Sequence, residues 1–348
     1  MNRPLIQLML YRFRIFFREP SAVFWTYGFP ILLTIALGIA FKAKPPARIN
    51  VDVVEGEAAG TVAEALERID EGETFKVRVH SAEACRERLR LGKCDVVVSQ
   101  GAGAEGYVYR YDPTRPESLH ARARVDDALQ RAAGRSDPLA VADQQVTEPG
   151  SRYIDFLLPG LLGMNLMGSG LWGVGFVVVD QRVRKLLKRF LATPMRRSHF
   201  LWSMIGARMV FTLPEMAIVL LAGVLLFHVP VRGSLVSILV IVVAGGLCFA
   251  GIGLLVASRA QRIETVSGLM NLVMLPMWLL SGIFFSTENF PDVIQPFIQA
   301  LPLTQLNNAL RAVILEGAPL ASQWLPLAWL LAFALVSFYF ALRLFRWT

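Results

Sequence analysis

Residues 235–257 read LVSILVIVVAGGLCFAGIGLLVA, an unbroken run without one charged side chain. A helix rises about 1.5 Å per residue, so this run reaches across the roughly 30 Å of hydrocarbon in a bilayer. An amphipathic helix of a soluble core would carry a polar stripe instead. Outward from this run, five more segments meet the same length test: Val23–Phe41, Phe156–Val179, Ala207–Phe227, Val266–Phe285 and Trp324–Leu342. The composition agrees, with 54% hydrophobic and 18% charged residues against about 25% charged in soluble domains. Mean hydropathy is +0.48. The reading is an α-helical polytopic membrane protein with six transmembrane helices. Arg12, Arg14 and Arg18 precede the first span as in a signal peptide. Its apolar run is too long for one and lacks a small-residue cleavage site, so it reads as a retained helix.

Charge sets the expected orientation. The chain carries a net +8, yet residues 45–150 are net acidic. With the N-terminus in the cytoplasm, residues 1–22, 180–208, 258–265 and 343–348 lie inside and hold most of the remaining lysines and arginines. The two short external loops then hold only Arg232 and Arg311. The opposite orientation violates the positive-inside rule. Six crossings return the C-terminus to the cytoplasm. The basic residues flank spans, so the pI near 9.7 is a topology signal, and nucleic-acid binding is not expected.

Four regions follow from this pattern. Residues 1–22 are a cytoplasmic segment in which Arg3, Gln7, Tyr11, Arg14 and Arg18 share one face of a helix and apolar residues fill the rest, the pattern of a helix lying in the headgroup layer. The first span occupies 23–41. Residues 42–155 form a polar insertion, expected outside the membrane as a small α/β extracytoplasmic domain. Its strands are placed at Arg48–Val54, Phe75–His80, Asp95–Ser99 and Gly106–Tyr111. Its helices are placed at Gly60–Asp70, with Thr61 as cap and Glu64 completing a capping box, at Ser81–Leu91 stopped by Gly92, and at Pro116–Ala133. Residues 156–348 carry the other five spans. The cytoplasmic loop 180–206 puts Val183, Leu186, Leu187, Phe190 and Leu191 on one helical face and Arg182, Arg184, Lys185, Lys188 and Arg189 on the other. Two readings stand for it: an interfacial helix that only obeys the charge rule, or a helix against which a cytoplasmic partner pushes. The external segment 286–323 contains apolar runs broken by Pro291, Pro296, Pro302 and Pro319. None is long enough to span, so short helices at the membrane face or re-entering it are expected.

Catalytic chemistry is hard to find. The sequence has no GxxxxGK[ST] loop, no HExxH, no CxxC and no GxSxG, so the chain is not expected to bind ATP, a metal or another cofactor. Polar residues inside spans are more informative. Glu215 follows Pro214 near the middle of the third span, where a lone carboxylate costs roughly 2.5–3.5 kcal/mol. It reads as part of a pathway, a structural pair, or a buried protonated acid. Arg208 lies on the same face about 10 Å earlier along the axis. Asn165 and Asn271 are weaker candidates for pathway or interface. Glycines crowd the second and fourth spans and suit close helix approach. Cys248 reads as a packing residue. Cys85 and Cys94 fall in the external domain, where a disulfide is one alternative and two free thiols the other.

The stretch Asp180–Leu201, with Leu-Ala-Thr-Pro at 191–194 followed by basic residues, resembles the cytoplasmic loop of type-2 ABC-exporter permeases. So does the external run of Phe290-Pro291, Leu301-Pro302-Leu303-Thr304, Ala309-Leu310-Arg311 and Gly317. The layout is similar over essentially the whole chain. That resemblance implies a permease subunit pairing with a second copy or a related permease. It also implies a partner nucleotide-binding ATPase that carries the ATP and magnesium. Arg14, Arg18, Arg182, Arg184, Lys185, Lys188, Arg189, Thr193 and Pro194 would receive the motion of the ATPase, and the second and fifth spans would line the path. The implied place is a bacterial inner membrane and the implied cargo an apolar or amphiphilic compound. A mechanotransmission subunit and a receptor sensing through residues 42–155 are the competing readings.

Overall fold

Among the described residues, six helices are long and apolar enough to cross a membrane: Pro20–Ala40, Tyr153–Val183, His199–Phe227, Leu235–Ala257, Ile263–Leu280 and Leu320–Leu344. The computed structural model describes residues 3–41, 48–57, 59–69, 73–101, 106–136, 139, 152–191 and 197–346. The chain divides into a helical unit, Met1–Lys42 with Thr147–Thr348, and a second unit, Ala43–Val146.

The helical unit is organised around the second and fourth spans, which hold most of the fully buried side chains, among them Leu157, Leu161, Leu166, Leu171, Ile241, Phe249 and Leu254. Glycines allow the two helices to touch. A Cβ on Gly170 would lie 2.5 Å from Cβ of Phe249, and one on Gly175 would lie 2.4 Å from the Gly253 carbonyl oxygen. Real Cβ atoms do not come so close, so the crossing requires the small residues that the sequence supplies. The third span begins at His199, not near Ala207 as hydropathy suggests. Its first three turns carry His199, Ser203 and Arg208, which lower the hydropathy. Phe200, Leu201 and Met204 are nevertheless buried there, and Ser203 Oγ donates to the Phe200 carbonyl at 2.7 Å.

The segment after the fifth span forms two short helices, Gln295–Ala300 and Pro302–Ile314. The second packs against the second, fourth and sixth spans, and its Leu303, Leu306, Ala309, Leu310, Val313 and Ile314 are fully buried. Asn307 Nδ2 donates to the Ser281 carbonyl at 2.9 Å. Arg311 donates to the Gly282 and Phe156 carbonyls and lies 3.8 Å from the Phe156 ring centre. The fifth span ends there in a turn with Gly282 at φ +69°, a conformation natural to glycine. The carbonyls left open by that helix end are therefore met by side chains of the inserted helix.

The second unit is a four-stranded sheet in the order β2-β1-β3-β4, with β1 (Ile49–Val54) parallel to β2 (Phe75–His80) and β3 (Val96–Gln100), and β4 (Tyr107–Arg110) antiparallel to β3. Helices Ala59–Glu67, Ala82–Arg90 and Pro116–Ala132 complete it. Val51, Val53, Val96 and Val98 join Leu66 and Val125 in one cluster. Val97 joins Cys85 and Cys94 in another, so the central strands are covered on both faces, as parallel strands usually are. Asp52, 1% exposed, is ion-paired to Arg88 at 2.7 Å. Gly92 has φ +67° and ends the helix before it. The expected cap at Thr61 is not the helix start: that helix begins at Ala59, Thr61 lies inside it, and Glu64 pairs with Arg68. Cys85 and Cys94 are both free thiols, so the disulfide alternative is not realised. Burial and the nearby Asp52 carboxylate push Cys94 up to about 12 and raise Cys85 as well, which keeps both protonated and unreactive.

Replacing Gly175 with Leu is expected to cost at least the roughly 1–3 kcal/mol of an overpacked core, read as a lower melting temperature of the detergent-purified protein. Gly268→Leu, where a Cβ meets nothing within 4 Å, is expected to leave it unchanged. A maleimide is expected to label none of the three buried cysteines in the native state and all three after denaturation without reductant. Labelling of Cys248 alone would show that Cys85 and Cys94 are bonded.

Candidate functional site

The N-terminal helix Arg3–Arg18 packs on the third span through aromatic rings. Phe13 and Phe16 lie 4.5 and 4.4 Å from Phe211, centre to centre. The first span leaves this helix at Pro20, and the polypeptide then forms a π-helical turn at Phe24–Gly28. The second span has its own π-helical stretch at Leu171–Phe176. A π turn leaves the regular bonding ladder and often marks a functional place in a helix. Here both flank one cavity of about 880 Å³, which Trp25, Thr26, Trp172 and Phe176 help to line.

That cavity is bounded by the N-terminal helix and by the first, second, third and fifth spans. Glu215, Asn165 and Asn271, the three polar span residues picked out in the sequence, all line it. They come from three different helices, so only the packing of the bundle brings them together. Arg208 also lines it and bonds Glu215 through Nη2 at 2.6 Å. The two side chains close the separation along the axis by reaching toward each other. Arg208 is 8% exposed and Glu215 3%. The arginine stem runs over Gly173, where a Cβ would come within 2.8 Å of Arg208 Cδ. The pair meets the demand that a buried charge be matched. Arg208 Nε, Arg12 Nε, Asn165 Nδ2 and Gln181 Oε1 are buried without a hydrogen-bond partner among the described residues. Apart from these, the wall is largely aromatic and aliphatic, the usual character of a site for small amphiphilic molecules.

The basic residues assigned to coupling separate into two groups. Arg184, Lys185, Lys188 and Arg189 are exposed, as are Arg14 and Arg18 on the N-terminal helix. Lys185 has φ +58° and marks the break between the second span, which runs to Val183, and the short helix Leu186–Leu191. Leu187 is buried beneath that helix, and Phe190 stacks near Phe200 at 5.1 Å. Thr193 and Pro194 lie outside the described residues.

Arg182 does not belong with the exposed cations. It is 8% exposed, and its guanidinium donates to the carbonyls of Ala257 at 2.9 Å, Ser258 at 3.2 Å, Ala260, and Arg346 at 2.8 Å. It lies 5.2 Å from the Phe345 ring. Helices end with carbonyls that lack partners, and Arg182 supplies them for the fourth span while holding the end of the sixth. The helical-face argument missed this because it treated residues 182–191 as one helix. The second span in fact continues to Val183 and carries Arg182 into the bundle. Asn307 and Arg311 were missed as structural anchors for a similar reason, since their targets are backbone carbonyls distant in sequence.

A bundle of six span-length helices with a large, mostly apolar cavity beside an amphipathic N-terminal helix is the architecture of a multi-pass helical membrane protein. A family model described as ABC-2 family transporter protein matches residues 20–343, and the chain belongs to that family. ABC transporter G family member 20 of Dictyostelium discoideum is 28% identical over 196 residues, covering 56% of this chain and 27% of that protein. Probable multidrug ABC transporter permease YbhR of Escherichia coli is 26% identical over 177 residues, covering 51% of this chain and 48% of that one. Nodulation protein J of Bradyrhizobium diazoefficiens is 28% identical over 200 residues, covering 57% of this chain and 75% of the other. The chain thus spans less than half the length of the first two.

Arg208→Met strands a buried carboxylate and is expected to destabilise the protein by about 3–5 kcal/mol. The double variant Arg208→Met with Glu215→Met is expected to recover most of that loss in thermal melts. Arg182→Ala is expected to lower the melting temperature, whereas Arg184→Ala, at an exposed position, leaves it within the range of ordinary surface changes, about 0.5 kcal/mol.

Proposed function

We propose that this chain is the permease subunit of an ABC exporter, moving an apolar or amphiphilic compound outward on ATP hydrolysed by a separate subunit. The carrying observation is the cavity of about 880 Å³ that gathers Glu215, Asn165 and Asn271 from three spans. Intramembrane polar residues are costly and concentrate where a molecule passes or helices pair. The cavity touches the N-terminal helix directly, and its second-span wall continues to Val183, just before the exposed cations Arg184, Lys185, Lys188 and Arg189. A push on the basic helix or on Arg14 and Arg18 would therefore reach the cavity wall through two helices.

In this reading the basic ends face the cytoplasm of a bacterial inner membrane, as the distribution of lysine and arginine favours. Residues 42–155 lie outside. Two permease copies, identical or related, pair so that their second and fifth spans border the path. The exposed apolar face of the fifth span, including Leu272, Leu275 and Leu279, suits such pairing. ATP and magnesium belong to the partner ATPase, in keeping with the lack of a phosphate-binding loop in the sequence. One relative's name is that of a probable multidrug ABC transporter permease, which supports transport without naming a cargo for this chain.

Co-purification with a nucleotide-binding subunit, followed by ATP hydrolysis in liposomes, tests the reading. Hydrolysis is expected to rise with an amphiphilic substrate. The triple variant Lys185→Glu, Lys188→Glu, Arg189→Glu is expected to return it to the basal rate without loss of folded permease. Glu215→Gln is expected to reduce transport, and unchanged transport would remove Glu215 from the pathway. Labelling of Lys185 from the exterior of intact cells would overturn the orientation and the coupling scheme with it.

A further inference from the structure

The walls of the cavity are not neutral toward the charge of a ligand. Two guanidinium groups face it, and each keeps an unpartnered Nε among the described residues. Arg208 is more than nine-tenths buried and spends Nη2 on Glu215. Arg12 makes no ion pair among the described residues. Its guanidinium lies 5.5 Å from the Phe200 ring, and burial lowers its pKa to about 10, leaving it a cation at neutral pH. Asn165 and Gln181 carry amides, which can present either a donor or an acceptor, and Glu19, the second carboxylate of the lining, is exposed, so the buried guanidinium groups decide the preference inside the cavity. Buried arginine N–H groups without partners are costly, and an anion relieves that cost best. A cationic ligand would meet Arg12 directly and find Glu215 already engaged.

Beyond the arginines the cavity is greasy and aromatic. Trp25, Phe29, Trp172 and Trp278 line it. Arg12 neighbours Phe200, and Arg208 lies eight residues further along the same helix, about 12 Å by helical rise. Arg208 reaches on toward Glu215, away from Phe200, so one acidic headgroup pairs with Arg12, and its tail has the aromatic wall within reach.

We propose that the cavity holds an anionic single-chain amphiphile, its acidic headgroup on Arg12 and its hydrocarbon tail along Trp25, Phe29, Trp172 and Trp278. This rests on the export reading and narrows it to one class of cargo. A carboxylate or phosphate monoester on an alkyl chain has the required chemistry.

The tryptophans supply the readout. The full chain is placed in phosphatidylcholine nanodiscs and titrated with a nitroxide-labelled stearic acid, which quenches tryptophan on contact. Saturable quenching is expected, displaced by unlabelled palmitate but not by hexadecyltrimethylammonium, palmitate methyl ester or inorganic phosphate. Arg12→Gln is expected to weaken the acid at least about tenfold, the scale of one lost charge-assisted bond, and Arg12→Lys less. The double variant Arg208→Gln with Glu215→Gln, which strands neither charge, is expected to weaken the acid less than Arg12→Gln does, with thermal melts to check folding; a greater loss there would overturn the assignment to Arg12. Competition by phosphatidylglycerol in the disc, a two-chain lipid, would overturn the restriction to a single chain. Equal displacement by the ester or the quaternary amine would overturn the charge preference and leave the export reading intact. Displacement by inorganic phosphate alone would overturn the role of the tail. Absence of saturable quenching by any amphiphile, with no substrate-stimulated hydrolysis in the assembled complex, would overturn the export reading as well.

Discussion

Hydrocarbon offers no hydrogen bonds, so every backbone carbonyl that a helix end exposes must be met from within the protein. This constraint organises both ends of the bundle. Where the fourth span stops, Arg182 of the second span fills the open carbonyls at Ala257, Ser258 and Ala260 and ties in the end of the sixth span at Arg346. Where the fifth span stops, Asn307 and Arg311 of the inserted helix take the carbonyls of Ser281 and Gly282. Arg311 also reaches Phe156 of the second span. The second span therefore participates at both ends, and its glycines bring it against the fourth span between them.

The cavity is where that economy is relaxed. Two spans depart from regular α-helix beside it, an ion pair crosses two turns of the third span, and two guanidinium Nε–H groups of its lining have no partner among the described residues. Such features destabilise a membrane bundle unless something occupies the space. Their concentration around one void, next to the N-terminal helix, is what supports the proposal that it is a passage. The unpaired guanidinium of Arg12 is the ground for the proposed preference in the sign of a ligand's charge.

Much of this was legible in the residues themselves. Uncharged runs of span length, the asymmetry of lysine and arginine, and strand–helix alternation in residues 42–155 are local properties that tertiary packing cannot reverse. The strand Phe75–His80 and the span Leu235–Ala257 stand where the pattern places them. Errors arose where a residue's partner is remote. Hydropathy read the start of the third span as polar because Ser203 and Arg208 satisfy themselves only in the folded bundle. Amphipathicity grouped Arg182 with exposed cations because it assumed one unbroken helix through Arg184 and Lys185.

By itself, then, the sequence determined that the chain crosses a membrane six times, that a mixed α/β insertion follows the first crossing, and that Glu215, Asn165 and Asn271 are out of place in hydrocarbon. Those conclusions depend on solvation cost per residue, which needs no knowledge of neighbours. Only the tertiary structure decided that the three polar residues face one cavity, that Glu215 is paired with Arg208, and that Arg182 closes helix ends inside the bundle. Contacts among separate helices depend on which faces meet and how closely, and the glycine crossings that set those distances are a property of two spans at once.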